Sequence, residues 1–230
     1  MSESSQLQQL TAAQLWLEQG RGVLILDTRP AEQFTSFHIA GSMQIGLMGS
    51  FASWAAILIG ASQRILLVAE SANCAQEAHN RLARVGLNNV AGYTLADKQQ
   101  WQQRGLELTS LPIYQHEDTC RTLQTNPAAQ LIDVRSRAEW LQGHLPGATS
   151  MPLLELTGQA VSIDPSKPIL VYCRDEYRAT IAASILLRDH ARDISILTGD
   201  VDEWQPYRML FERLRDERIG STLGCPRRAS

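Results

Sequence analysis

The sequence predicts an α/β fold in two small domains, each a mostly parallel β-sheet flanked by helices. Three observations carry this. One pattern is written twice: with a shift of 106 positions, DTRPAEQFTSFHIAGS (27–42) lies over DVRSRAEWLQGHLPGA (133–148) without a gap. Short β-like runs alternate with helical patterns inside each copy. The 230-residue chain is 44% hydrophobic and 20% charged, ordinary values for a folded protein, and each copy of about 110 residues is long enough for its own core.

The elements follow in order. In the repeat, Asp27 meets Asp133, Arg29 meets Arg135, Phe34 meets Trp140, His38 meets His144 and Gly41 meets Gly147. A β-like run precedes each segment, VLIL in the first copy and QLI in the second. A shift of 104 lays Ile65 and Leu66 over Ile169 and Leu170, and Ala75, Ala78 and Leu82 over Ala179, Ala182 and Leu186. Those three- and four-residue spacings mark one face of a helix. The change of offset by two means that one inter-strand loop differs by two residues. The second copy reads as a helix from about Asp118, its N-cap, strands at 130–134 and 168–172, a helix at 178–190, a strand at 194–198 and a helix around 201–217. Pro112 and polar residues after the apolar LEL place the boundary, which divides the chain into domains 1–112 and 113–230. The crowded glycines and apolar residues of GLMGSFASWAAILIG (46–60) read as a loop and helix packed between the copies, or as ordinary core.

Charge and composition narrow the function. A net charge of −3 and a pI near 6 give no general signal for nucleic acid. Arg213, Arg215, Arg218, Arg227 and Arg228 read as a solvated helix face and a frayed tail rather than a binding patch. The apolar run WAAILIGA from Trp54 is far too short to cross a bilayer. MSESSQLQQL lacks a basic region followed by an apolar one, so no secretory signal is expected. Cys74, Cys120, Cys173 and Cys225 share no metal-ligand spacing and read as reduced thiols in a cytoplasm.

The chemistry concentrates in ILVYCRDEYRATIAAS (169–184). A β-like run ends at Cys173, and CRDEYR leads into an alanine-rich helical pattern. The first amides of a helix have no internal partners and point into such a loop, where the helix dipole adds partial positive charge. A cysteine held there is expected to have a depressed pKa, and the same amides can hold an anionic substrate. Arg174 and Arg178 add formal positive charge. The site suits nucleophilic attack by sulfur on an anion. The other local reading is a small buried residue at a strand end.

Taken together, DVRSRAEWLQGHLPGA (133–148), the strand ILVYC (169–173), the loop CRDEYR with its helix RATIAASILL, and TGDVDEW (198–204) resemble the rhodanese (sulfurtransferase) family in order and spacing. The first copy resembles it more weakly, so the whole chain looks like a tandem rhodanese protein. The resemblance implies that Cys173 is the nucleophile that takes up sulfur as a persulfide. It also implies that Arg174, Asp175, Glu176, Tyr177 and Arg178 form the rim, with their amides wrapped around the sulfur. Asp133 and Arg135 match the family's D-x-R pair near the site, either as a salt bridge and turn clamp or as a substrate contact. His144 matches the H of GH-x-x-GA and is taken to fix a turn; Trp140 and Trp204 are taken as core aromatics.

The implied reaction moves a sulfane sulfur from thiosulfate or a low-molecular-weight persulfide to cyanide, a thiol or sulfite, and needs neither metal nor organic cofactor. The related phosphatases and arsenate reductases resemble C-x5-R loops; here Cys173 to Arg178 is C-x4-R, so a phosphatase is the minor enzyme reading. Family loops of the CR-x-G-x-R sort carry small residues where Asp175 and Glu176 stand here. Two acids can repel doubly charged thiosulfate, point to solvent, or attract a cationic or thiol-bearing partner, which leaves the donor open.

In the first copy Ala69 stands at the Cys173 position, Glu70 at Arg174, Cys74 at Arg178 and Gln33 at Glu139. That copy is expected to be non-catalytic, with Cys74 either a plain thiol on the first helical turn or a secondary sulfur acceptor. Three function classes follow: a single-site sulfurtransferase, a binding or scaffold module with both copies inert, and a relay that passes sulfur to a protein partner.

Overall fold

In this computed structural model the described residues are 7–115, 128–145, 147–156, 163–189 and 193–199. The chain divides into two compact units, residues 1–111 with 184–189, and residues 112–183 with those from 190 onward.

In the first unit the apolar runs become β1 (Leu24–Asp27) and β4 (Ile65–Ala69). Every residue of both is buried, as a parallel sheet covered on two faces requires. The sheet runs β3 (Met43–Gln44), β1, β4, β5 (Val90–Leu95), all parallel. A short antiparallel pair, β2 (His38–Ile39) with β6 (Leu108–Thr109), lies apart from it. The helices are α1 (Ala12–Gln19), α2 (Ala31–Ser36), α3 (Phe51–Leu58), α4 (Ala72–Arg84) and α5 (Lys98–Gln103). Thr11 and Gln14 start α1 with a reciprocal capping box. Leu15 of α1 and Trp101 of α5 join Ile25, Leu66 and Val68 of the sheet in one core cluster.

The 46–60 stretch is a loop followed by α3, packed on α4 of its own unit. Phe51, Ala55 and Leu58 are buried. Arg81 of α4 donates from Nη1 to the Leu47 carbonyl (2.7 Å) and from Nη2 to the Gly49 carbonyl (3.1 Å), with its guanidinium 5.4 Å from the Phe51 ring centroid.

The second unit repeats the order. Its sheet runs β7 (Ile113–Gln115), β11 (Ile194–Thr198), β10 (Ile169–Cys173), β8 (Gln130–Asp133), β9 (Thr149–Ser150), again all parallel. Strands β8, β9, β10 and β11 stand where β1, β3, β4 and β5 stand in the first unit. Even the outer strand has its counterpart, since Gln9 bridges Tyr93 in parallel as β7 pairs with β11. Helix α6 (Arg137–Gln142) opens on a second capping box, Ser136 with Glu139. Helix α7 (Glu176–Asp189), whose residues 184–189 group with the first unit, begins two residues earlier than the spacing predicts, because Asp175 caps it. The spacing also predicts one buried face, whereas every residue from Ala179 to Leu186 is buried. The expected helices from Asp118 and around 201–217, with Trp204, Cys120 and Cys225, lie outside the described residues. Among the described residues no helix is long and apolar enough to cross a membrane.

One clamp recurs at the end of both sheets. In the first unit Arg29 donates from Nε to Asp27 Oδ1 (2.9 Å), and from Nη2 to Asp27 Oδ2 (2.6 Å) and the Phe37 carbonyl (2.9 Å). In the second, Arg135 donates from Nε to Asp133 Oδ1 (3.0 Å), and from Nη2 to Asp133 Oδ2 (2.7 Å) and the Gly143 carbonyl (2.7 Å). Both pairs are buried. The clamp ties the last residue of a strand to the chain leaving the next helix, using the bidentate match of guanidinium and carboxylate. Beside it, His38 stacks on Phe34 with ring centroids 3.8 Å apart, and His144 on Trp140 at 3.6 Å. The Nδ1 atoms sit 2.8 Å and 3.2 Å from the Phe34 and Trp140 carbonyls. Gly41 (φ 79°) and Gly147 (φ 84°) close the two turns in the left-handed region that a side chain would strain. Trp140 is half-buried against His144 rather than a full core aromatic.

His38 gives this frame an acid limit. Burial, with the nearby Arg29 charge, pushes its imidazole down to about 4, the Phe34 carbonyl pulling the other way. The unfolded chain takes up a proton near pH ~6.5 that the folded chain refuses until the lower pKa, so this stability is full above the unfolded value and is lost as pH falls through the folded one. Urea unfolding of the first unit is expected to weaken steeply between neutral pH and the folded pKa, with a shallower slope in His38→Asn. Equal slopes in the two proteins would contradict this account.

Candidate active site

Cys173 is the last residue of β10, fully buried, in register with Thr198 of β11. Helix α7 starts three residues later. Asp175 forms its N-cap: Oδ1 accepts from the Arg178 N–H (2.8 Å) and the Asp175 carbonyl accepts from the Ala179 N–H (3.3 Å). The Asp175 backbone amide bears on the Cys173 sulfur and favours its charged form. The strand end, the loop amide and the helix start therefore meet at one sulfur atom.

The expected depressed pKa of Cys173 is not what this geometry produces. Burial pushes the thiol up to about 12. The Arg178 guanidinium and the Asp175 amide pull it down, but the Asp175 and Asp133 carboxylates oppose them. Loss of water outweighs the loop's donors, so the resting residue is a protonated thiol.

Arg178, expected on the rim as added positive charge, is engaged by the protein's own acids. Its Nη1 and Nη2 donate to the two carboxylate oxygens of Glu139, both at 2.9 Å, and its Nε donates to Asp175 Oδ2 at 2.6 Å. One guanidinium thus faces two carboxylates. The Glu139 bonds, set against burial and joined by the Asp175 bond, raise the Arg178 pKa. The same pair, with the Ser136 bonds, holds the Glu139 carboxyl down at about 2. Glu139 belongs to α6, and its Oε2 also accepts from the Ser136 amide (2.9 Å) and hydroxyl (2.7 Å). One side chain thereby caps one helix and anchors the first turn of another. Glu139 was visible in the sequence only as the acid that Gln33 replaces; the signal that could have singled it out is the capping box Ser136-x-x-Glu139.

The remaining rim residues are arranged around this network. Arg174 is exposed, while Glu176 and Tyr177 are half-buried at the helix start. Thr180 closes the first turn by donating from Oγ1 to the Glu176 carbonyl (2.8 Å). Asp133 and Arg135 lie beneath, occupied with each other and with Gly143, and Arg135 sits 5.0 Å from the Tyr172 ring centroid. Burial works against the charge on Arg135, but the Asp133 carboxylate outweighs it and raises its pKa. Tyr172 donates its hydroxyl to the Gly199 carbonyl (3.2 Å).

The first unit keeps the frame with other chemistry. Ala69 ends β4, Ser71 caps α4 by accepting from the Cys74 N–H (3.2 Å), and Gln33 Nε2 donates to Glu70 Oε1 (2.6 Å). Cys74 lies on the first turn of α4, partly exposed, and does not reach the strand end.

The raised pKa makes a testable demand. In a background with Cys74, Cys120 and Cys225 changed to Ser, alkylation of Cys173 by iodoacetamide is expected to accelerate about tenfold per pH unit from neutral to strongly alkaline pH, because the thiolate fraction does. A plateau at or below the ordinary cysteine pKa would contradict it.

Comparison with known proteins agrees with the repeat. The pattern of the rhodanese-like domain matches twice, at residues 11–102 and 117–206. An uncharacterised protein of Bacillus subtilis (YqhL) is 37% identical over 76 residues, 33% of this chain and 60% of that protein. The HTH-type transcriptional regulator Rv0324 of Mycobacterium tuberculosis is 32% identical over 76 residues, 33% of this chain and 34% of that protein. The matched stretch thus spans less than two thirds of either relative. Among solved structures, thiosulfate sulfurtransferase from Pseudomonas aeruginosa is 20% identical over 86% of this chain and 42% of that one, with a TM-score of 0.37. With both of its copies matched, this chain belongs to the rhodanese-like family, as two such domains in tandem.

Proposed function

We propose that the protein is a sulfurtransferase that moves a sulfane sulfur from thiosulfate or a low-molecular-weight persulfide to a thiophilic acceptor (cyanide, a thiol or sulfite) through a persulfide on Cys173. The observation that carries this reading is the Cys173 sulfur, held at a strand end under the Asp175 amide at the start of α7. Residues 113–230 are the catalytic domain in this reading, and residues 1–112 a non-catalytic partner, since Ala69 has no sulfur to offer.

The reaction has two displacements. Cys173 Sγ attacks the outer sulfur of the donor, the donor's S–S bond breaks, and sulfite or a thiol leaves with the bonding pair. The acceptor then attacks the terminal sulfur and Cys173 is restored. No net oxidation of the protein occurs, and ping-pong kinetics follow from the covalent intermediate. Arg174, Asp175, Glu176, Tyr177 and Arg178 shape the rim, with Arg178 acting through its position rather than as the anion's own partner.

Intact mass measured without reductant, after incubation with thiosulfate or glutathione persulfide, is the test. A one-sulfur adduct is expected, lost in Cys173→Ala and retained in Cys74→Ala. Absence of the adduct with both donors, together with absence of cyanide-dependent thiocyanate, would overturn the proposal.

A further inference from the structure

The sulfurtransferase reading leaves the donor open, and the side chains around the loop bear on it. Arg178 is bonded to two carboxylates, Glu139 and Asp175, which leaves this trio with a net charge of −1. Asp133 and Arg135 cancel each other, and Arg174 and Glu176 add one charge of each sign. Among the described residues, the charged side chains that act on the Cys173 sulfur are one cation, Arg178, and two carboxylates, Asp175 and Asp133. Glu139 neutralises Arg178 through the bidentate pair and closes the cap of α6, which leaves the Asp175 charge as the surplus. The capping that Asp175 performs is done in the first unit by uncharged Ser71, so the cap itself does not require an acid.

We infer that Asp175, acting through Arg178, sets the charge of the donor this site takes, favouring an organic persulfide with a single charge on its transferable sulfur group over dianionic thiosulfate. The inference rests on the sulfurtransferase reading. Asp175 is a positioning residue here: its carboxylate binds Arg178 Nε and adds a second negative charge to a guanidinium that Glu139 already neutralises. Thiosulfate concentrates two charges on a few atoms and meets the excess negative charge directly. In a persulfide such as glutathione persulfide the other carboxylates sit far from the sulfur, where water and salt screen them.

Proton accounting points the same way. Cys173 rests as a thiol, so its proton must leave when sulfur arrives. With a persulfide anion the step closes on itself: Cys173–SH and R–S–S⁻ give Cys173–S–S⁻ and R–SH. The bond from Sγ to the outer sulfur forms, the donor's S–S bond breaks, and the leaving thiolate takes the proton with the electron pair. Sulfite leaving from thiosulfate is a weaker base than an alkyl thiolate and takes that proton less readily.

Steady-state kinetics with thiosulfate and glutathione persulfide test the inference. Both Asp175→Ser and Asp175→Asn keep a capping side chain and remove the charge. The ratio of kcat/KM for thiosulfate to that for persulfide is expected to rise about tenfold in each, mainly through KM for thiosulfate, the scale of one partly screened charge. A purely structural role would change both donors by the same factor, and that result, or an unchanged ratio, overturns the inference. Wild-type protein supplies a check that needs no variant: added salt should raise kcat/KM for thiosulfate relative to persulfide, and a relative fall would mean that the site attracts the dianion. A Cys173 adduct with an unchanged ratio overturns this inference alone, whereas no adduct from either donor overturns the sulfurtransferase reading beneath it.

Discussion

The buried aspartate–arginine clamp is the constraint on which both halves of the molecule rest. A parallel sheet ends in unpaired strand termini and loops, and each must be fixed by side chains. Asp27 with Arg29, and Asp133 with Arg135, fix them with the same set of contacts, 106 residues apart. The guanidinium reaches a backbone carbonyl on the far side of a helix in both cases, from Phe37 in one unit and Gly143 in the other. A lone buried charge would be costly; paired and fully bonded, it sets the geometry of everything that follows in the chain. The residue at the carbonyl can differ because only its backbone is used.

On that common frame the loop that follows β4 and β10 carries different chemistry in the two units. The second places Cys173 at the strand end and locks the helix behind it with Glu139, Arg178 and Asp175. The first has Ala69, and a polar contact between Gln33 and Glu70 in place of the ion pair. The same strand–loop–helix frame thus serves a unit with a candidate nucleophile and one without, and at that junction the difference lies in the side chains. The acid at Asp175 is accounted for as a helix cap and a counter-ion of Arg178.

Much of this was legible beforehand, and the reasons are local. Fully buried parallel strands read as short apolar runs, so β10 and β11 were visible within a residue. The D-x-R and GH-x-x-GA patterns pack their information into sixteen consecutive residues. What escaped was long-range or depended on depth. Glu139 meets Arg178 across 39 positions, and nothing in either segment's own pattern announces the other. The sign of the Cys173 shift depends on whether loss of water outweighs nearby donors, which only the folded burial decides. The early start of α7 followed from reading Asp175 as a loop acid when it is an N-cap.

The central claim is that Arg178 is held by the protein's own carboxylates and not by the substrate. Nitrogen-15 NMR of its guanidinium addresses this directly, with inorganic sulfate as an inert dianion. The account predicts slowly rotating, separately resolved Nη signals that do not move as sulfate is added. A single averaged signal that shifts and saturates with sulfate would contradict it.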